Sequence, residues 1–214
     1  SMRYWKGFKD GIPIALGYLS VSFAFGIQAT SLGLTPLQAV LISLLNVTSA
    51  GQLAGLQLMT AGAGLPEMAL TQLTINLRYA LMSISLSQKL DESMNTLHRL
   101  LISFANTDEV FAVASSQKGK VGRAYLYGLT NGPVAGWVLG TALGALAGGL
   151  LPDSVTNALG IAIYGMFIAI VIPPARKERP VLVAVLLALV LSCLFTWAPV
   201  LKEISAGISI VICT

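Results

Sequence analysis

Long apolar runs separated by short polar punctuation set the pattern of the chain: Ile12–Thr30, Pro36–Thr60, Pro66–Ser87, Leu97–Ser116, Ala124–Leu150, Ser154–Ile172 and Val181–Val200, with a shorter apolar piece at Ile204–Thr214. A helix needs about 20 mostly apolar residues to cross the hydrocarbon core of a bilayer. The pattern therefore predicts an all-α integral membrane protein with about six or seven embedded helical segments, in one domain over residues 1–214. The last piece reads either as a truncated span or as a short tail. Pro36, Pro66, Pro152 and Pro180 each sit at or just before a segment start, where a missing N–H costs nothing. Arg3, Lys6 and Lys9 precede the first run as they would in a signal peptide, but its length and the runs behind it predict a retained first span. Ser1 before Met2 reads as a tag remnant.

Composition strengthens this reading. Hydrophobic residues make up 55% of the chain and charged residues only 10%, against about 25% charged in a soluble domain. The net charge of +4 comes from short clusters at Arg3–Lys9, Lys118–Arg123 and Arg176–Arg179, with a weaker group at Lys89 and Arg99. Such clusters set membrane orientation rather than bind nucleic acid, and they predict a multi-pass protein of the cell inner membrane with a cytoplasmic N-terminus. Two topologies follow. If Pro36–Thr60 and Leu97–Ser116 both cross, there are seven spans, and Lys89 and Arg99 lie outside; if both are re-entrant, there are five, and every cluster lies inside. The lengths of the two segments favour seven. The prolines also suggest two halves, with Pro13, Pro36 and Pro66 loosely echoed by Pro133, Pro152 and Pro180, as in transporters built from repeats. Cys193 and Cys213 lie in apolar runs and read as packed thiols rather than a disulfide.

Three segments carry helix-breaking chemistry at membrane depth. In "LLNVTSAGQLAG", Asn46, Thr48 and Ser49 are capping residues and Gly51 is a weak helix former. In "SFANTDEVFA", Asn106, Thr107 and Asp108 offer a second set of caps, and Asn131, Gly132 and Pro133 would break or kink a third helix. Freed backbone groups are tolerated at that depth only inside protein or along a cavity, so discontinuous helices point to a binding site; hydrogen bonding between helices is the alternative. Gly128, Gly132, Gly136, Gly140, Gly144 and Gly148 recur every four residues. They form a packing seam, against an internal helix or a partner subunit, including a second copy of the chain.

Arg78 stands at the centre of Pro66–Ser87, where an unpaired charge costs about 2.5–3.5 kcal/mol on insertion scales. It needs an interior partner, and Asp108 and Glu109 are the carboxylates whose depth matches if Leu97–Ser116 crosses; a re-entrant segment leaves them more hydrated and the pairing weaker. Asn76 and Tyr79 flank it. No nucleotide-binding loop, metal spacing or nucleophile elbow is present, which predicts neither an enzyme nor a cofactor. The candidate substrate-binding set is Asn46, Thr48, Ser49, Gly51, Gln52, Asn76, Arg78, Tyr79, Thr107, Asp108 and Glu109, with Met59, Met82 and the phenylalanines as apolar walls.

The stretches "GFKDGIPIALGYLSVSFAFG", "TSAGQLAGLQLMTAG", "INLRYALMSISLS" and "TDEVFAVA" resemble the AzlC family, the large subunits of branched-chain amino acid exporters. The resemblance runs from Gly7 to roughly Val200 and is most specific in the first half. It implies efflux of leucine, isoleucine, valine and methionine, and a partner: a small hydrophobic, AzlD-like membrane subunit of about half this length. The missing nucleotide motif argues for a proton-linked or passive carrier. An uncoupled channel or facilitator, or a non-transporting scaffold, is the alternative. For a zwitterionic substrate, the half-helix N-termini or Arg78 would hold the carboxylate, and Asp108 or Glu109 the ammonium or a coupling proton.

Overall fold

The computed structural model describes residues 2–198, 201 and 203–213; Ser1, the Val200 end of the seventh run and Thr214 of the tail lie outside the described residues. Among the described residues the chain forms α1 (Met2–Ser31), α2 (Pro36–Leu45), α3 (Ser49–Thr60), α4 (Leu65–Ser87), α5 (Thr96–Phe104), α6 (Asp108–Ser116), α7 (Arg123–Ala147), α8 (Asp153–Lys177), α9 (Arg179–Trp197) and α10 (Ala206–Cys213), with no strand. Local chemistry sets several of the boundaries. Thr35 and Gln38 form a reciprocal capping box ahead of Pro36, and Asn95 Oδ1 accepts the His98 N–H at 3.0 Å to start α5.

The glycine seam packs against a helix of the same chain. A Cβ on Gly128 would strike the Tyr4 carbonyl, one on Gly136 would lie 2.6 Å from the Ala15 carbonyl oxygen, and one on Gly144 would strike the Phe23 carbonyl. The order of these contacts shows that α1 and α7 run parallel, backbone against backbone, over most of their length. α7 is continuous through Pro133, so the third expected break does not form. The carbonyl of Leu129, left without its helical donor by Pro133, instead sits against α1, where a Cβ on Gly11 would lie 2.6 Å from it. Close packing of a neighbouring helix is what lets an embedded helix carry proline.

The other two expected breaks are real. α2 and α3 are separated by Asn46–Thr48, and α5 and α6 by Ala105–Thr107. α2 starts beside the end of α1, where the Leu34 N–H donates to the Ala29 carbonyl, and α3 runs back alongside the start of α4, with Gly55 against Met68 and Gln72. Leu53 and Leu56 of α3 share a cluster with Ala29 and Ala39, so both ends of the α2–α3 pair lie at the Ser31 end of the molecule. The α5–α6 pair does the reverse. Lys89 donates to the Ser115 carbonyl, Lys6 to Gln117 Oε1 at 2.7 Å, and Arg3 approaches Asp91 at 4.0 Å, so its two ends meet the N-terminus of α1.

These contacts correct the reading that the two segments cross. Each half-helix has 9 to 12 residues, or about 14–18 Å at 1.5 Å per residue. That is half of a roughly 30 Å hydrocarbon core, and the chain turns back at each break. The repeat also differs from the one read from the prolines. α1 followed by α2–α3 is matched by α4 followed by α5–α6 in the opposite sense, whereas Pro13 and Pro133 lie on the parallel helices α1 and α7.

α8 leaves the end of α7, and α10 returns to the start of α4, where the Gly207 N–H donates to Glu67 Oε1 at 2.8 Å. The turn between α8 and α9 carries Arg176–Arg179 and thus lies away from that end. Apolar side chains cover the outside: Leu73, Leu77 and Leu81 of α4 are all more than half exposed, and no described residue of α9 is buried. Two helices, α1 over Arg3–Ser31 and α9, are long and apolar enough to cross a membrane among the described residues. Apolar surface on this scale marks a protein whose solvent is lipid. Cys193 and Cys213 are free thiols.

Candidate functional site

The two breaks meet. Leu45, Asn46, Val47 and Thr48 of the first, and Ser103, Phe104, Asn106 and Thr107 of the second, line one cavity of about 230 Å³, closed on the α4 side by Asn76 and Tyr79. Each hairpin contributes the C-terminal end of one half-helix and the N-terminal end of another. Thr48 is the N-cap of α3, and its hydroxyl accepts the Gly51 N–H at 3.3 Å. Thr107 holds the N-cap position of α6 without a side-chain capping bond. Asn46, expected to start a helix, closes α2 instead, its N–H donating to the Ile42 carbonyl at 2.9 Å. The lining is therefore polarised: helix N-termini carry partial positive charge and C-termini partial negative charge.

Buried oxygen atoms sharpen the picture. Asn76 Oδ1 and Asn106 Oδ1 have no hydrogen-bond partner among the described residues, and the Thr107 hydroxyl has only the Tyr18 hydroxyl beside it. Asn106 and Thr107 are 2% and 5% exposed. A buried unsatisfied polar group costs about 1–3 kcal/mol, so these oxygens are available to a donor that enters the cavity. Their amides are held from behind: Asn76 Nδ2 donates to Gln72 Oε1 at 3.1 Å, and Asn106 Nδ2 to Ser83 Oγ at 3.1 Å. Gln72 in turn donates to the Gly51 carbonyl at 2.7 Å, tying α4 to the first turn of α3.

The charges stand beside the cavity. Arg78 Nη2 lies 3.1 Å from Asp108 Oδ2 and donates to the Tyr79 hydroxyl, also at 3.1 Å, so Tyr79 joins the ion pair to the cavity wall. Both partners of the pair are about half exposed, 50% and 48%. Glu109, next along α6, accepts a hydrogen bond from the Tyr18 hydroxyl of α1, and the Tyr18 ring packs edge-on against Trp137 of α7. The two neighbouring carboxylates thus face different helices and have different partners.

Of the eleven candidate residues, Asn46, Thr48, Asn76, Tyr79 and Thr107 line the cavity. Arg78, Asp108 and Glu109 form the charged border just described. Ser49, Gly51 and Gln52 are not among its lining residues, although a Cβ on Gly51 would meet Thr48 and Asn46: Gln52 is 1% exposed and accepts from the Ser43 hydroxyl at 3.3 Å, and Ser43 also bonds Thr141 at 2.6 Å. Met59 and Met82 do not line the cavity; its apolar wall is Leu45, Val47 and Phe104. Tyr18, Gln72 and Asn106 were missed as site residues. The spacing of Gln72 and Asn76, one helical turn apart in an apolar run, is a signal that could have found the first. Among the described residues no group of His, Cys, Asp and Glu is arranged to hold a metal ion.

Comparison with known proteins agrees with this architecture being embedded in a membrane. The family model described as AzlC protein matches residues 13–151. The inner membrane protein YgaZ of Escherichia coli is 31% identical over 186 residues, covering 84% of this chain and 76% of that protein. An uncharacterized membrane protein of Archaeoglobus fulgidus is 35% identical over 181 residues, covering 84% and 79%. No solved structure matches.

Proposed function

The chain belongs to the AzlC family of membrane proteins, and on that premise we propose that it is a secondary carrier that exports branched-chain amino acids. The observation that carries the reading is the cavity where the two breaks meet, with its orphaned oxygens and polarised ends. A leucine zwitterion matches it group for group. Its carboxylate is stabilised at the N-termini of α3 and α6, capped by Thr48 and Thr107. Its ammonium donates three hydrogen bonds; Asn76 Oδ1 and Asn106 Oδ1, without partners among the described residues, and the Thr107 hydroxyl beside Tyr18 are the proposed acceptors. Its branched tail lies against Leu45, Val47 and Phe104.

Movement is built into the same design. Each hairpin enters the protein from one end only, so rocking of one unit against the other exposes the cavity alternately. The basic clusters orient the carrier: α1, α4, α7, α8 and α9 cross, and the N-terminus, Lys89, Arg99, Lys118–Arg123 and Arg176–Arg179 face the cytoplasm of a cell whose inner membrane holds the protein. Glu109 is the candidate proton carrier, because its bond from Tyr18 links α6 to α1 and is broken or remade as the units move. A small hydrophobic membrane subunit is the proposed partner.

Counterflow of labelled leucine in proteoliposomes, with and without a pH gradient, tests the reading. A proton-linked carrier exchanges leucine and concentrates it when the gradient is imposed. Exchange without concentration identifies an uncoupled facilitator, and no exchange with or without the small subunit identifies a scaffold.

A further inference from the structure

A second cavity, of about 240 Å³, lies between α4 and α5 at the end of the molecule that carries Arg3 and Lys89. Its walls have two characters. Leu86, Met94 and Ile102 form a buried apolar floor, 3–4% exposed, while Ser87, Thr96 and Arg99 form a polar rim. Arg99 is fixed there by its Nε–H, which donates to the Met94 carbonyl at 3.1 Å. This cavity and the central one share two lining residues, Ser103 and Asn106. The hydrogen bond from Asn106 Nδ2 to Ser83 Oγ, at 3.1 Å, lies at that shared boundary, since Ser83 lines the outer cavity and Asn106 lines both.

We propose that the α4–α5 cavity is the vestibule through which an apolar amino acid enters from the basic end, and that the Asn106–Ser83 hydrogen bond is the gate between it and the central site. The inference rests on the carrier reading above. An amino acid with an aliphatic side chain suits the vestibule: the tail spreads over Leu86, Met94 and Ile102, and Arg99 meets the carboxylate at the rim. The gate is slight. A single neutral hydrogen bond is a weak closure, and a ligand ammonium that reaches Asn106 Oδ1 engages the same amide that closes the neck.

The test uses the full chain with Cys193→Ala and Cys213→Ala, in vesicles of both orientations, with a membrane-impermeant methanethiosulfonate. Ser87→Cys should react from the face that carries the basic clusters and not from the other, and Ser103→Cys, which also borders the central cavity, should react from that basic face. Saturating leucine should slow the Ser103→Cys reaction about tenfold, and completed reaction there should stop leucine counterflow. Adding Ser83→Ala should speed the reaction of Val47→Cys, in the central cavity, severalfold from the basic face. Reaction of Ser87→Cys and Ser103→Cys from the opposite face only, or from neither face, overturns the vestibule. So does full counterflow after complete modification of Ser103→Cys, although the carrier reading then stands. An unchanged Val47→Cys rate overturns the gate. If the cysteine-free parent exchanges no leucine with or without the small subunit while the unmodified chain also exchanges none, the carrier reading itself fails, and the vestibule with it.

Discussion

Arg78 is the residue whose position most needs explaining, and its neighbours explain it. At mid-helix in α4 it is neutralised by Asp108 and tied through Tyr79 to the cavity wall. Replacing it with leucine removes a charge-assisted hydrogen bond, worth about 1.5–3 kcal/mol, and leaves Asp108 unpaired. Arg78→Leu should therefore insert normally yet lose leucine transport by about ten- to a hundredfold; an unchanged rate in proteoliposomes would remove Arg78 from the mechanism. The two adjacent carboxylates are expected to behave differently because their partners differ. Glu109→Gln should flatten the pH dependence of transport, whereas Asp108→Asn should lower the rate at every pH, and identical pH profiles would sink the assignment. The pairing of Arg78 with a carboxylate at its own depth was legible in the sequence, because an embedded charge leaves few options. The roles of Tyr18, Gln72 and Asn106 were not. A neutral polar residue in an apolar run bonds any neighbour within reach, and only the fold decides which.

At the scale of elements, the helices and two of three breaks followed from apolar runs and capping residues. The third expectation failed because Pro133 lies in a helix whose freed carbonyl is covered by α1, a contact that no local pattern encodes. The α1–α7 seam makes its own prediction. Gly128→Val and Gly144→Val place side chains in the backbone of the partner helix, and overpacking of this kind costs about 1–3 kcal/mol or more; both should lower the thermal midpoint in detergent. Gly17→Ala, on the open face of α1 with nothing within 4 Å of its Cβ, should be neutral or stabilising by up to about 1 kcal/mol. Equal effects at the three positions would contradict the seam. The linker after α4 is a further joint. The Ser93 hydroxyl and N–H donate to Asp91, with Arg3 nearby, and hold its carboxyl below the usual carboxylate range, outweighing the opposing effect of partial burial. A depressed folded pKa means that this stabilisation is present above the unfolded pKa, near 3.9, and is lost as pH falls through the folded value. Asp91→Asn should thus lower the thermal midpoint at pH 7 more than at pH 3, and an equal change at both would exclude the linkage.

At the scale of the molecule, segment length alone did not reveal that two of the runs are split. Two 20- to 25-residue runs were long enough to cross, but each is split into two half-helices of 9 to 12 residues, and the chain turns back between them. The ends of α5 and α6 consequently join the N-terminus of α1, and the weak Lys89–Arg99 group sits with the strong clusters rather than opposite them. Cysteines placed at Lys89 and Lys118 should be labelled from the same side of the membrane; labelling from opposite sides would restore the seven-crossing arrangement. Two units of opposite sense, each a long helix followed by a broken hairpin, bring four half-helix ends to one cavity, and this convergence makes the case for transport.

The most direct test is binding of labelled leucine to the purified protein by scintillation proximity, with two competitors that each lack one charged group. On the proposed reading the cradle holds a zwitterion, so unlabelled isoleucine and valine should displace leucine, whereas 4-methylpentanoate, which has no ammonium, and leucinol, which has no carboxylate, should each compete at least about a hundredfold more weakly, because a site built to hydrogen-bond a group rejects the analogue that lacks it. Competition by 4-methylpentanoate as strong as that by isoleucine would contradict the assignment of Asn76, Asn106 and Thr107 to an ammonium, and with it the account of the cavity.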